Sequence, residues 1–135
     1  MFVTVLYGIF NIKTGEINYC NAGHNAPYIL HQDGSVEMVD SFVNIVLGAF
    51  EDIKFKSNSM TLAEGDTLVM YTDGVTEAED MDKNLFGDPR LASVLGELKG
   101  ADSETIVDTI NKKVKEFAGD APQSDDVTVL VIRRK

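Results

Sequence analysis

Cysteine occurs once, at Cys20, and the 12 Lys and Arg residues are outnumbered by 22 Asp and Glu. A single cysteine excludes an intrachain disulfide framework, so nothing calls for an oxidising compartment and a reducing cytoplasm is expected. Long hydrophobic runs are missing as well. Residues 1–16 are apolar for only about ten positions with no basic region ahead of them, which reads as a strand and not as a signal peptide or membrane span, so no membrane contact is expected. The formal charge of −10 repels phosphate backbones, and nucleic acid is excluded as an expected partner. No repeat, low-complexity tract or linker divides the 135 residues, and 44% of them are hydrophobic. One domain over residues 1–135 with a buried core is therefore expected.

The first half is written in short apolar runs separated by turn residues. Strands are expected over 2–10, 17–21, 27–31 and 36–39, with turns at 13–16 and at Asp33-Gly34, giving an antiparallel meander. Residues 53–56 alternate like a half-exposed strand. The unbroken run 67–71 is expected to be a strand buried on both faces, ending in the turn Thr72-Asp73-Gly74. The period then changes. Asp88 before Pro89 reads as an N-cap, with Leu91, Val94, Leu95 and Leu98 at helical spacing up to Gly100. Asp102 caps a second helix with the apolar stripe Ile106, Val107, Ile110, Val114 and Phe117, closed by Gly119. A last buried strand is expected over 127–132, followed by a solvated tail, Arg133, Arg134 and Lys135. Strands, then helices, then a strand make an α+β layered domain.

The chemistry concentrates at strand ends. Asp73 follows the 67–71 strand, and Asp125 and Asp126 precede the 127–132 strand. If the two strands are antiparallel, these carboxylates share one edge, and a hard divalent cation would relieve their repulsion. Between Glu64 and Asp82 there are seven acidic residues and no Lys or Arg. The same residues also suit a plain reading, because Asp-Gly is a common turn dipeptide and an acidic run is usually a solvated face. No stretch has the alternating acids and closing glutamate of a calcium loop.

Five segments in order carry a more specific message: Asn21-Ala22-Gly23-His24-Asn25-Ala26-Pro27, Glu64-Gly65-Asp66, Tyr71-Thr72-Asp73-Gly74-Val75-Thr76-Glu77-Ala78, Phe86-Gly87 and Gln123-Ser124-Asp125-Asp126-Val127-Thr128. Together with the strand opening at residues 1–4, they resemble the SpoIIE-like bacterial branch of the metal-dependent, type 2C-like (PPM) protein Ser/Thr phosphatases, along the whole chain.

That resemblance implies an antiparallel β-sandwich flanked by helices. It implies two Mn²⁺ or Mg²⁺ ions held between aspartates, and a metal-activated water that attacks the phosphorus of phosphoserine or phosphothreonine. Asp73 and Asp125 match the family's metal ligands, and Asp126 is the runner-up. Gly74, Asn21, Gly23 and His24 match residues that shape the site, and Gly74 would let the backbone pass close to the cations. For His24, a loop histidine bonded to backbone is favoured slightly over a ligand or proton-transfer role; Asn21 and Asn25 read as loop-shaping. Cys20 reads as a small core residue. The implied partner is a phosphorylated regulatory protein of the anti-sigma-factor-antagonist type, in the bacterial cytoplasm.

The family's upstream Asp-Gly metal motif has no counterpart in this sequence, since Asp33-Gly34 reads as a hairpin turn. The resemblance therefore implies a C-terminal portion of the domain, lacking N-terminal strands and helices. Weak metal binding and a free sheet edge suited to a homodimer are expected to follow. Two other readings stand beside the enzyme: a non-catalytic module on a degenerate phosphatase scaffold that binds a phosphoprotein, and a small acidic cation-binding module.

Overall fold

In the computed structural model of the chain, residues 1–39 and 43–135 are described. The elements are β1 (Val5–Phe10), β2 (Glu16–Ala22), β3 (Tyr28–Leu30), β4 (Val36–Met38), β5 (Asn58–Thr61), β6 (Thr67–Tyr71), α1 (Asp73–Thr76), α2 (Gly87–Gly96), α3 (Ser103–Ala118) and β7 (Val129–Arg133). They form two antiparallel sheets, ordered β1-β2-β5 and β4-β3-β6-β7. The two hairpins of the expected meander thus lie in different sheets. The chain changes sheet between Ala22 and Tyr28, where Gly23 takes a left-handed φ of 73°.

Side-chain alternation along β6 explains the layering. Leu68 and Met70 face one cluster, with Ile17, Tyr19, Ile29 and Leu62, which fills the space between the sheets. Val69 and Tyr71 face the other, with Leu91, Leu95, Ile106 and Ile110 from α2 and α3. β6 is therefore buried on both faces, as its unbroken apolar run requires. Each fully buried Leu or Ile of the helical layer contributes about 1.5–3 kcal/mol by leaving water. The far side of the β1-β2-β5 sheet has no such cover among the described residues. Tyr7 and Ile9 of its edge strand β1 are 62% and 61% exposed.

The helices begin and end for identifiable reasons. The Asp102 carboxylate accepts from the Thr105 N–H at 2.8 Å and caps α3. Gly119, with φ of 57°, closes it through its N–H to the Lys115 carbonyl. For α2 the expected cap is corrected. The helix begins at Gly87 after Phe86, with no side-chain cap. The Asp88 carboxylate instead accepts hydrogen bonds from the Tyr71 hydroxyl at 2.8 Å and the Tyr28 hydroxyl at 3.2 Å.

Four further expectations are corrected. Residues 53–56 are not a strand: the Lys56 backbone N–H and carbonyl are bonded to the side chain of the buried Asn44, and pairing with β2 begins only at Asn58. The last strand is half-buried, not buried, because β7 is the edge of its sheet and Leu130 is exposed. Cys20 is half-buried on β2, where its Sγ accepts from Asn44 Nδ2 at 3.3 Å. Finally, the two arginines are no solvated tail. Arg133 donates to the Gly100 and Ala101 carbonyls, and Arg134 to those of Leu62 and Lys13, stitching β7 to the loops of both layers.

Candidate metal centre

The antiparallel register of β6 and β7 positions the site. Tyr71, the last residue of β6, pairs with Val129, the first of β7. The residues just beyond that pair therefore leave the sheet at one edge: Thr72 and Asp73 on one side, Thr128 back to Asp125 on the other. Backbone pairing continues there, with the Thr72 N–H donating to the Thr128 carbonyl at 3.1 Å. The Thr72 hydroxyl donates to the Asp126 carbonyl at 3.0 Å and accepts from the Thr128 N–H at 3.1 Å.

The expected Thr72–Gly74 turn is the start of the one-turn helix α1, so Asp73 sits in the first helical turn. An acidic side chain suits that position, where free N–H groups leave partial positive charge. Gly74 is buried against the incoming strand. A Cβ there would lie 2.2 Å from the Asp126 carbonyl oxygen and 2.6 Å from its carbon. Glycine is thus required for space, not for an unusual φ.

Asp73, Asp125 and Asp126 are all exposed. One oxygen of Asp125 accepts from the Asp126 N–H at 2.7 Å, and the other has no hydrogen bond among the described residues. No ion pair among the described residues involves any of the three. A cavity of about 200 Å³ opens beside Asp125 and Gly74, floored by Ala78, Val114 and Val127. A second of about 360 Å³ opens beside Asp73 and is lined by Asn25, Glu77 and Asp88.

The Asn21–Asn25 loop is self-supporting. The side chain of Asn21, 1% exposed, accepts from the His24 N–H and donates to the His24 carbonyl, both at 2.8 Å. His24 Nδ1 accepts from the Asn25 N–H at 2.6 Å. Gly23 passes so close to Val46 that a Cβ would overlap its side chain.

Three groups at or near this edge escaped sequence reasoning. Thr72 belongs to the Thr72-Asp73-Gly74 segment, but residue type alone gives no sign of the bonds its hydroxyl makes across the edge. Asn44, which bonds to the Asn21 carbonyl as well as to Lys56, left no pattern in the sequence. The Tyr28–Tyr71–Asp88 group joins three elements. The two rings stack at 5.9 Å, and burial first, then the Asp88 carboxylate, push Tyr28 up to about 12 and raise Tyr71 further.

The donor set has the chemistry of a hard cation site: carboxylate oxygens on one edge, unpaired with any cation among the described residues. Mg²⁺ is commonly held by one or two carboxylates, with waters and substrate phosphate oxygens completing the shell. Among the described residues, no three His, Cys, Asp or Glu side chains converge as a ready-made cage. The residues present therefore fit an open site with two protein carboxylates, not a closed one.

Residues 1–135 match the family described as Stage II sporulation protein E (SpoIIE). The chain is a member of the SpoIIE family. It is 32% identical over 134 residues to Protein IcfG of Synechocystis sp., covering 99% of this chain and 21% of that protein. It is 27% identical over 135 residues to Phosphoserine phosphatase RsbU of Bacillus subtilis, covering 100% of this chain and 40% of the relative. The solved phosphatase domain of the cell fate determinant SpoIIE from Bacillus subtilis, Mn presoaked, superposes with a TM-score of 0.74 at 22% identity, over 96% of this chain and 56% of that one. This SpoIIE-family chain thus has the PP2C-like phosphatase fold, and it spans less than half the length of these curated relatives. Among the described residues no helix is long and apolar enough to cross a membrane.

Proposed function

We propose that the chain supplies part of the catalytic centre of a cytoplasmic, metal-dependent phosphatase that hydrolyses phosphoserine or phosphothreonine on a regulatory protein of a partner-switching pathway. Asp73 and Asp125 are its carboxylate ligands for Mn²⁺ or Mg²⁺, and Asp126 contributes mainly through its backbone. The observation that carries this reading is the β6–β7 register, which brings the three aspartates to one edge. A relative named as a phosphoserine phosphatase supports the reaction class, and a manganese-soaked relative supports the choice of cation.

Divalent cations bound at such an edge neutralise phosphoryl charge and acidify a coordinated water. The chain's own residues orient the carboxylates: α1 fixes Asp73 at its first turn, the Asp126 N–H holds one oxygen of Asp125, and Gly74 lets the two segments touch.

Phosphate release from a phosphoserine peptide, with Mn²⁺ and after chelation, tests the proposal. Turnover that chelation abolishes, and that is lost in Asp125→Asn, is expected. The non-catalytic reading draws on the lack of three converging ligands among the described residues. Phosphopeptide binding without phosphate release under any divalent cation would favour it.

A further inference from the structure

Thr72 stands in the N-cap position of α1, yet its hydroxyl makes no capping bond. Threonine at that position ordinarily accepts from an N–H of the first helical turn, a bond worth about 1 kcal/mol. Here the hydroxyl is turned toward the other segment of the site. It donates to the Asp126 carbonyl at 3.0 Å and accepts from the Thr128 N–H at 3.1 Å, so both of its hydrogen-bonding functions are spent on the residues that lead into β7. The residues it ties are the chain neighbours of the two carboxylates. Asp73 directly follows Thr72, and Asp125 directly precedes Asp126.

We propose that the Thr72 hydroxyl is the positioning group of this centre, setting the separation of the Asp73 and Asp125 carboxylates by fastening the end of β6 to the entry of β7. The role rests on the metal-centre reading of those two aspartates. Three observations support it. Beyond the last regular pair, Tyr71 with Val129, one backbone bond, from the Thr72 N–H to the Thr128 carbonyl, continues the pairing, and the two bonds of the hydroxyl extend it to Asp126. Both aspartates are exposed, so their separation follows the backbone segments that carry them, with one oxygen of Asp125 held by the Asp126 N–H. Gly74, pressed against the Asp126 carbonyl, permits the short approach that the hydroxyl then locks. A cation with near-ideal octahedral demands tolerates little variation in ligand spacing. Groups that orient metal ligands from behind typically change metal affinity by about 10–100-fold when removed.

The test compares Thr72→Val, which keeps the shape and removes the hydroxyl, with Thr72→Ser, which keeps the hydroxyl. Mn²⁺ is titrated into each protein while paramagnetic broadening of backbone amide signals is followed, a readout independent of turnover that also captures weak binding. Melting temperatures are recorded on the same samples. The expected result is a Kd about 10-fold or more weaker in Thr72→Val and within about threefold of the parent in Thr72→Ser. Equal affinity in Thr72→Val and the parent overturns the positioning role while leaving the metal centre intact. Equal weakening in Thr72→Ser and Thr72→Val also overturns it, because the methyl and not the hydroxyl would then matter. No Mn²⁺ binding by the parent, or binding that survives unchanged in either Asp73→Asn or Asp125→Asn, overturns the metal centre and the positioning role together.

Discussion

Replacing Gly74 by alanine adds one carbon at the tightest point between α1 and the entry to β7. The new Cβ would lie 2.2 Å from the Asp126 carbonyl oxygen, 2.6 Å from its carbon and 3.1 Å from the Val127 nitrogen. A carbon–oxygen contact is comfortable at about 3.3 Å, so roughly 1 Å of movement is required. Every atom in the way is backbone, and no side-chain rotation relieves the overlap. Alanine gains up to about 1 kcal/mol in helix propensity over glycine, but α1 is a single turn and realises little of it. Overpacking of this kind costs about 1–3 kcal/mol, and the balance is destabilising. At roughly 3 °C per kcal/mol for a chain of this size, the melting temperature of Gly74→Ala should fall by about 3–9 °C. The displacement also separates Asp73 from Asp125, so Mn²⁺ affinity should fall by about 10-fold or more. Thermal denaturation with and without Mn²⁺ measures both. A variant as stable as the parent, with unchanged affinity, would refute the close approach on which this account of Gly74 depends.

Asn44→Ala should cost about 1–2 kcal/mol in urea denaturation, since it removes the side-chain bonds to the Asn21 and Lys56 carbonyls and to the Lys56 N–H, while the residue 44 N–H still bonds the Asn21 carbonyl. A loss under about 0.5 kcal/mol would show that water replaces those bonds. His31 bridges two carboxylates, Glu37 at 2.8 Å and Asp66 at 3.1 Å, and its pKa is raised above 6.5, first by the Glu37 hydrogen bond and then by Asp66 against an opposing burial effect. Because the folded pKa is the higher one, this contribution is fully present below pH 6.5 and is lost as pH rises through the folded value. Glu37 is exposed, so solvent screening keeps the effect under about 1 kcal/mol. Stability measured across this range should fall in the parent and lose that component in His31→Gln; identical pH profiles would contradict the assignment.

Much of this architecture is legible in the residues, and the exceptions have physical causes. The 67–71 run reads as a doubly buried strand because no polar side chain interrupts its apolar core, and the sandwich confirms it from both sides. The antiparallel pairing of that strand with the last one was a condition in the sequence and is a register in the structure. By contrast, Asn58–Thr61 carries no strand signature. Its pairing with β2 comes from backbone hydrogen bonds, while the alternating 53–56 segment is held off the sheet by the Asn44 side chain. A carboxylate before a proline marks a helix start by composition alone. Only three-dimensional packing shows that Asp88, on α2, serves tyrosines of two strands, β3 and β6. The assignment of two hairpins to two sheets was equally hidden, because period-2 alternation looks the same whichever sheet a strand joins. At the candidate site, the aspartates were legible as residue types at strand ends. The hydroxyl of Thr72 was not, since a threonine at a helix start reads first as a cap.

The most direct test of the central claim, that Asp73 and Asp125 serve one cation, is Mn²⁺ titration followed by amide signal broadening in the parent, Asp73→Asn and Asp125→Asn. Broadening confined to the amides around 72–76 and 124–128 is expected in the parent, with its loss in each single variant. Broadening centred elsewhere, or persisting unchanged in either variant, would contradict it.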